Sequence, residues 1–357
     1  MDLLILNENF ETIEVIDKYK SLIWTDRFNK CGDFEIYTTA STDTIQTLQK
    51  DYYVWQENSE HQMIIGNIKI ENDVEVGNYL TITGESLESI LKRRIIWEQT
   101  SISGKLQDGI YKLLDNAIIN PTDANRKISN FIFVESTDES ITELTVDAQY
   151  TGDNLYDVIV TLCQNASIGF KITLSNENNL EFRLYAGTDR SYNQTTNPYV
   201  TFSPNFENII NSNYNESSIE YKNVALVAGE GEGTARKSIT VGDTDSSGLN
   251  RRELYVDARD LQSTDSSSTK DYYAKLTQRG NEKLTDYKIT KTFEGEIEST
   301  QLYQYNKDFF MGDICQMENE YGIESRVRIT EFIYSDDSDG TKTYPTLEVI
   351  EDEEENT

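Results

Sequence analysis

The first hundred residues alternate apolar and polar positions with a period of two, in short runs broken by polar turns. Leu3-Leu4-Ile5-Leu6 and Glu14-Val15-Ile16-Asp17 flank the turn signal Asn7-Glu8-Asn9, which predicts a hairpin. Residues 21–25 and 33–37 predict two more strands around the polar stretch 29–32. Residues 52–55 and 62–65 flank a polar turn containing His61. Residues 68–70 and 79–83 follow, with Gly77-Asn78 as the turn. Many short strands with small polar turns imply an antiparallel sheet, closed or nearly so.

The period then becomes helical. Leu87, Ile90, Leu91 and Ile95 share one face behind Ser86, a suitable N-cap. Lys92, Arg93 and Arg94 fall in the last turns, where cations suit the negative end of the helix dipole. Leu106, Ile110, Leu113, Leu114 and Ala117 predict a second helix that stops at Asn120-Pro121. A third opens at Asp153 and places Leu155, Val158, Ile159 and Leu162 on one side. Strands return at 170–174, 180–185, 199–202 and 224–228. A helix is expected at 272–288 in spite of Gly280. Strands at 291–297, 313–317, 327–334 and 347–350 close the pattern. The expected class is a β-rich α+β fold. Residues 1–98 and 199–240 with 289–350 form two β domains, and 99–198 an intervening α+β region. Residues 241–288 are an inserted loop and helix packing with that region, and 351–357 an acidic tail.

A length of 357 residues allows two or three domains. Lys and Arg number 32 against 63 Asp and Glu, a net charge of −31, which argues against a phosphate-gripping surface. Four prolines exclude Pro-rich linkers. The sequence has no long apolar run and no basic leader at residues 1–10, so a soluble chain made in a cytoplasm is expected. The single histidine, His61, and the scattered Cys31, Cys163 and Cys315 do not suit a metal site; buried thiols are expected, and no cofactor.

Short motifs add little chemistry. Gly229-Glu230-Gly231-Glu232-Gly233 lacks the Lys and Ser/Thr of a phosphate loop, and its carboxylates would repel phosphate; it reads as a strand end with unusual backbone. Asp243-Thr-Asp245-Ser-Ser247-Gly248 and Ser335-Asp-Asp337-Ser-Asp339-Gly340 begin like calcium loops, but Leu254 and Thr346 stand where the closing Glu belongs. Both read as hairpin turns. Glu60-His61 are neighbours in a strand-like region and point apart, so His61 reads as a turn histidine. Cys163 lies on an apolar helix face. No hydrolase nucleophile or zinc-protease motif is present. The doublets Arg93-Arg94 and Arg251-Arg252 suit pairing with carboxylates across a subunit contact.

Several segments together resemble the tail-hub proteins of phages of Gram-positive bacteria, related to the N-terminal part of tail-associated lysins. They are Ser21-Leu-Ile-Trp-Thr-Asp-Arg-Phe-Asn with Gly32-Asp-Phe-Glu, Gly84-Glu-Ser-Leu-Glu-Ser-Ile-Leu with Arg93-Arg-Ile-Ile-Trp97, and Asp147-Ala-Gln-Tyr-Thr-Gly-Asp-Asn-Leu-Tyr-Asp. Ser203-Pro-Asn-Phe-Glu-Asn-Ile-Ile, Val227-Ala-Gly-Glu-Gly-Glu-Gly and Phe309-Phe-Met-Gly-Asp-Ile complete the set, in order along nearly the whole chain. The resemblance implies a homotrimeric ring at the tip of the tail tube, similar to the T-even baseplate hub. Each chain would carry two tube-like antiparallel β-barrels, so that three copies match a sixfold tube. It implies contacts with the distal tail, tail tube and fibre or spike proteins. A tape-measure protein and DNA would pass through a carboxylate-lined lumen without specific binding. No catalysis is expected; larger relatives add a wall hydrolase, and this sequence ends in the acidic tail. Candidate intersubunit or structural residues are Trp24, Asp26, Arg27, Arg93, Arg94, Trp97, Gly229, Gly231, Gly233, Arg251 and Arg252, with closure burying the strands near Trp24 and Trp97. The rival readings are a carbohydrate-binding adhesin, whose tyrosines stack on sugars, and a cell-wall hydrolase.

Overall fold

The computed structural model describes residues 2–56, 59–75, 77–263, 269–296, 302–322 and 324–350. The acidic tail at 351–357 and the end of the strand expected to reach 297 lie outside the described residues. Seven strands lead: β1 (Leu3–Leu6), β2 (Thr12–Ile16), β3 (Ser21–Arg27), β4 (Asp33–Thr39), β5 (Tyr53–Gln56), β6 (Gln62–Asp73) and β7 (Gly77–Ser86), with helix α1 (Thr42–Thr47) after β4. Then come β8 (Thr100–Lys105), α2 (Leu106–Leu114), β9 (Phe131–Val134), α3 (Glu139–Thr142), β10 (Thr145–Tyr150) and α4 (Leu155–Asn165). The next strands are β11 (Gly169–Leu174), β12 (Leu180–Tyr185), β13 (Thr201–Phe202), β14 (Ile210–Ser217), β15 (Val224–Ala228), β16 (Ser238–Gly242) and β17 (Glu253–Asp257). Helix α5 (Thr269–Thr285) precedes β18 (Thr290–Glu296), β19 (Ile314–Glu318), β20 (Glu324–Asp337) and β21 (Gly340–Ile350).

The chain forms two compact units, residues 1–90 with 169–215 and 292–357, and residues 91–168 with 216–291. In the first, one 13-stranded sheet runs in the order β14-β18-β21-β20-β3-β4-β7-β6-β5-β1-β2, with β19 on β20 and β13 on β19. The class is β-rich α+β, as the hydrophobic pattern predicts. The sheets are open, however, and none closes into a barrel among the described residues. The reason is the pairing of β3 with β20, from Arg27 opposite Glu331 to Ser21 opposite Asp337. It consumes the sheet edge that closure of either half would need, and joins the halves side by side.

Two hairpins organise this sheet. In β6–β7 the register slips between Ile65 and Asn67; in β20–β21 it slips between Ile329 and Glu331. Each slip is one extra residue on the first strand of the pair, a bulge that bends and twists it. Each hairpin has its own core. Leu22, Trp24, Phe34, Ile36, Ile65 and Ile82 fill one; Phe202, Phe293, Phe309, Val327, Ile329 and Leu347 fill the other. Tyr334 packs against both.

The second unit holds the hairpin-like pair β8–β10 and the sheet β16-β15-β17. Residues 224–240 therefore belong to a sheet separate from β18–β21, a division that differs from the sequence expectation. Val227, Val241 and Val256 pack against Leu276 of α5. Gly280 lets the helix lie close: a Cβ there would come 2.4 Å from Val241 Cγ2 and 2.6 Å from Val227 Cγ2.

Local departures have local causes. The helix expected behind Ser86 is a 3-10 turn, Leu87–Arg93, because Ser86 still belongs to β7. Its Oγ accepts from the Gly32 N–H at 2.8 Å and is not free to cap. The loop at 335–340 is the expected hairpin turn, whereas 243–248 follows β16 without pairing it to the next strand. Cys31, Cys163 and Cys315 are all buried and none is in a disulfide. No described helix is long and apolar enough to cross a membrane.

Candidate functional site

Trp24 and Asp26 stand two residues apart on β3, so both side chains leave the sheet on one face. The Trp24 indole N–H donates to Asp26 Oδ1 at 3.1 Å, and the Tyr305 hydroxyl donates to Oδ2 at 3.5 Å. Across the ladder, Tyr334 lies opposite Trp24 and Phe332 opposite Asp26. The Tyr305 ring stacks on Phe332 with centroids 4.0 Å apart.

His61 and Glu88 complete the cluster. The β6–β7 ladder ends at Met63 opposite Ser86; His61 just precedes β6 and Glu88 lies in the 3-10 turn that follows β7. His61 Nδ1 lies 3.4 Å from Glu88 Oε1, an ion-pair distance without hydrogen-bond alignment. Glu88 Oε1 accepts the Ile172 N–H at 2.8 Å. Asp26, His61 and Glu88 are only 4%, 7% and 1% exposed, so three ionisable groups share a site withdrawn from water.

Burial opposes a charged imidazole, but the Asp26 charge and the contact with Glu88 push His61 up to about 9. Burial likewise opposes an ionised Glu88, yet His61, Ser86 and the Ile172 N–H hold it below its ordinary value. Asp26 goes the other way: burial raises its carboxyl above the usual range, against the pull of His61 and Trp24. A histidine held protonated by two carboxylates has little capacity as a general base near neutral pH.

Two clefts reach the cluster. One, of about 240 Å³, is lined by Glu60, His61, Lys171 and Asp313 among others; the second, of about 540 Å³, by Trp24, Gln56, Tyr303 and Tyr334 among others. Asp26, Tyr305 and Asn306 line both. Lys171 and Glu60 form an ion pair at the smaller cleft. Asp313 is anchored by Arg190 Nε at 2.6 Å and by the N–H groups of Thr188 and Phe310 at 2.7 and 3.0 Å. No group of three or more metal-ligating side chains occurs among the described residues.

The family model for siphovirus ReqiPepy6 Gp37-like proteins matches residues 2–347. The chain belongs to that family. No curated protein matches the sequence. Among solved structures, a 43 kDa tail protein of prophage MuSo2 from Shewanella oneidensis is similar at 11% identity and TM-score 0.59, covering 97% of this chain and 98% of that one. The tail protein from Neisseria meningitidis MC58 is similar at 13% identity and TM-score 0.57, with 97% and 96% covered. Prophage tail protein gp18 from Listeria monocytogenes EGD-e is similar at 13% identity and TM-score 0.54, with 97% and 94% covered. The fold of this family member is thus the fold of phage tail proteins over nearly its full length, in agreement with the resemblance carried by the segments from Ser21 to Ile314.

The residues singled out by sequence fall into separate groups. Trp24 and Asp26 are buried within a single chain, so trimer closure is not needed to cover them. Arg27 pairs with Asp33, with Glu331 through Nε at 2.5 Å, and with the Cys31 carbonyl at 3.0 Å. In the second unit Arg93 is exposed, and Arg94 donates from Nε and Nη2 to the Arg126 carbonyl at 3.3 and 3.1 Å. The Arg126 guanidinium covers the Trp97 ring at 4.4 Å, and Trp97 is 56% exposed.

Gly229 leaves room for the Tyr272 hydroxyl, which a Cβ would meet at 2.2 Å and which accepts the Glu230 N–H at 2.8 Å. Gly231 and Gly233 have φ of 95° and 55°, the unusual backbone expected of this loop. Glu230 pairs with Lys237 at 2.6 Å. Arg251 binds Glu253 at 2.7 Å, and Arg252 donates to the Ser218 carbonyl at 2.6 Å. Sequence reasoning passed over His61 and Glu88 as site residues. The β6–β7 register reaches only Met63 opposite Ser86, so no ladder position announces the His61–Glu88 contact.

Proposed function

We propose that this family member is a non-catalytic structural protein of the virion, a homotrimeric hub at the distal end of the tail tube. In this reading β1–β7 supply one tube-type module and β13, β14 and β18–β21 the second, so three chains present six modules to the sixfold tube. The observation that supports it is the pair of long hairpins, each with one extra residue in its first strand and each over its own core. The distal tail and tail tube proteins dock on one side of the ring and a fibre or spike on the other. A tape-measure protein and DNA pass through. The net charge of −31 suits a wall that does not hold phosphates, acting within about 8 Å at physiological salt.

Cryo-electron microscopy of purified tails, with this protein marked by an inserted tag, tests the reading. Threefold density carrying the tag at the distal tip of the tube is the expected result. A tag elsewhere on the particle, or a ring without threefold symmetry, overturns it.

A further inference from the structure

The buried cluster is out of electrical balance. Two carboxylates, Asp26 and Glu88, share one imidazole, and a buried charge without a partner is costly. Glu88 Oε1 meets His61 and the Ile172 N–H, while its Oε2 has no hydrogen-bond partner among the described residues. Asp26 has two donors, one of them distant. Its Oδ1 accepts from Trp24, while Oδ2 has only the long contact to Tyr305 among the described residues. That oxygen belongs to a residue lining both clefts.

A second observation, independent of charge, concerns the larger cleft. Gln56 lines it, is 2% exposed, and its Oε1 has no hydrogen-bond partner among the described residues. A buried acceptor without a donor is costly, so an incoming N–H or O–H is favoured at this atom. Tyr303, Tyr305 and Tyr334 give aromatic faces to a wall that also holds Lys307, Gln304, Asn306 and Thr343. An acceptor carboxylate, an acceptor amide and aromatic faces together match one chemical group. A guanidinium offers several N–H donors in a plane, carries a positive charge to set against Asp26, and stacks on aromatic rings.

We infer that the cleft beside Asp26 and Gln56 is a docking site for an arginine side chain of a partner polypeptide. The strongly acidic composition of the chain favours such a basic partner. Asp26 supplies the counter-charge, Gln56 an acceptor, and the tyrosines the wall. Burial raises the Asp26 carboxyl, and a cation beside it would offset that penalty. The site is read from this chain alone and does not depend on the hub assignment; tail microscopy and the titration below can fail separately.

The test is a titration of the full chain with N-acetyl-arginine methylamide, followed by NMR of the Trp24 indole N–H. A lone side-chain probe should bind with a Kd on the order of 1 mM. The expected result is saturable movement of that resonance, with the neutral citrulline analogue weaker by about tenfold or more. Asp26→Asn should lose binding by a similar factor, and Gln56→Leu should weaken it severalfold. Should Asp26→Asn fail to fold, Gln56→Leu decides. Equal binding of arginine and citrulline probes, no response at the Trp24 indole, or full affinity in Gln56→Leu would each overturn the inference. Tighter binding of free arginine than of the blocked probe would also overturn it, because that marks a small-molecule site.

Discussion

Trp24 and Asp26, two residues apart on one strand, are joined by an indole N–H donating to a carboxylate at 3.1 Å. The bond fixes a carboxylate that burial disfavours. A strand can do this because alternate residues share a face. The charge balance of the cluster then governs how stability responds to pH.

His61 has an ordinary value of 6.5 and is pushed up to about 9 in the fold. A raised value means that the folded state binds the proton more tightly. Its contribution is fully present below about 6.5 and fades as pH rises through about 9. The urea midpoint of the native chain should fall across that window, by on the order of 3 kcal/mol in unfolding free energy. His61→Gln should be less stable at pH 6 and should flatten that slope. A native chain with constant stability from pH 6 to 9 contradicts the expectation.

Gly280 reverses a usual sign. Gly to Ala inside an exposed helix stabilises by roughly 1 kcal/mol. Here the added methyl would press on Val227 and Val241 of the sheet below. Gly280→Ala should therefore destabilise the unit containing α5, by about 1–3 kcal/mol, read from thermal melting. A higher melting temperature would show that the helix can lift without loss.

Asp313 holds three partners with one carboxylate: Arg190, the Thr188 N–H and the Phe310 N–H. Asp313→Ala leaves a largely buried guanidinium and two N–H groups unpaired, and should cost about 3–5 kcal/mol in denaturant unfolding. Arg190→Met leaves the carboxylate with its two N–H donors. It should cost distinctly less, and equal losses would count against this ordering.

All three thiols are buried, and burial raises Cys163 and Cys315 well above the ordinary thiol value. A thiol-reactive dye should therefore label the native chain slowly, with fast labelling of Cys31, Cys163 and Cys315 only in denaturant. Rapid stoichiometric labelling under native conditions would show that one of them is reached by solvent.

The alternation of residues 1–86 showed strands, and their turns fell where Asn, Asp and Gly stand. Short α1 was missed because its capping residue, Ser41, introduces only one turn and a half of helix without a buried face. Those features are local, and local preference is what a linear pattern records. The tertiary structure alone decided that β3 pairs with β20, some three hundred residues away, and so opened both halves into one sheet rather than closing two barrels. It alone decided that His61, in the β5–β6 connection where the sequence put it, is buried against Glu88. One extra residue near Gly66 shifts every ladder partner beyond it, up to Met63 opposite Ser86, and the contact of His61 with Glu88 forms just past the end of that ladder. Composition announced a large negative charge. Which carboxylates lie buried, and what they face, was fixed by pairing between distant strands, because Coulomb forces follow distance in space and not along the chain.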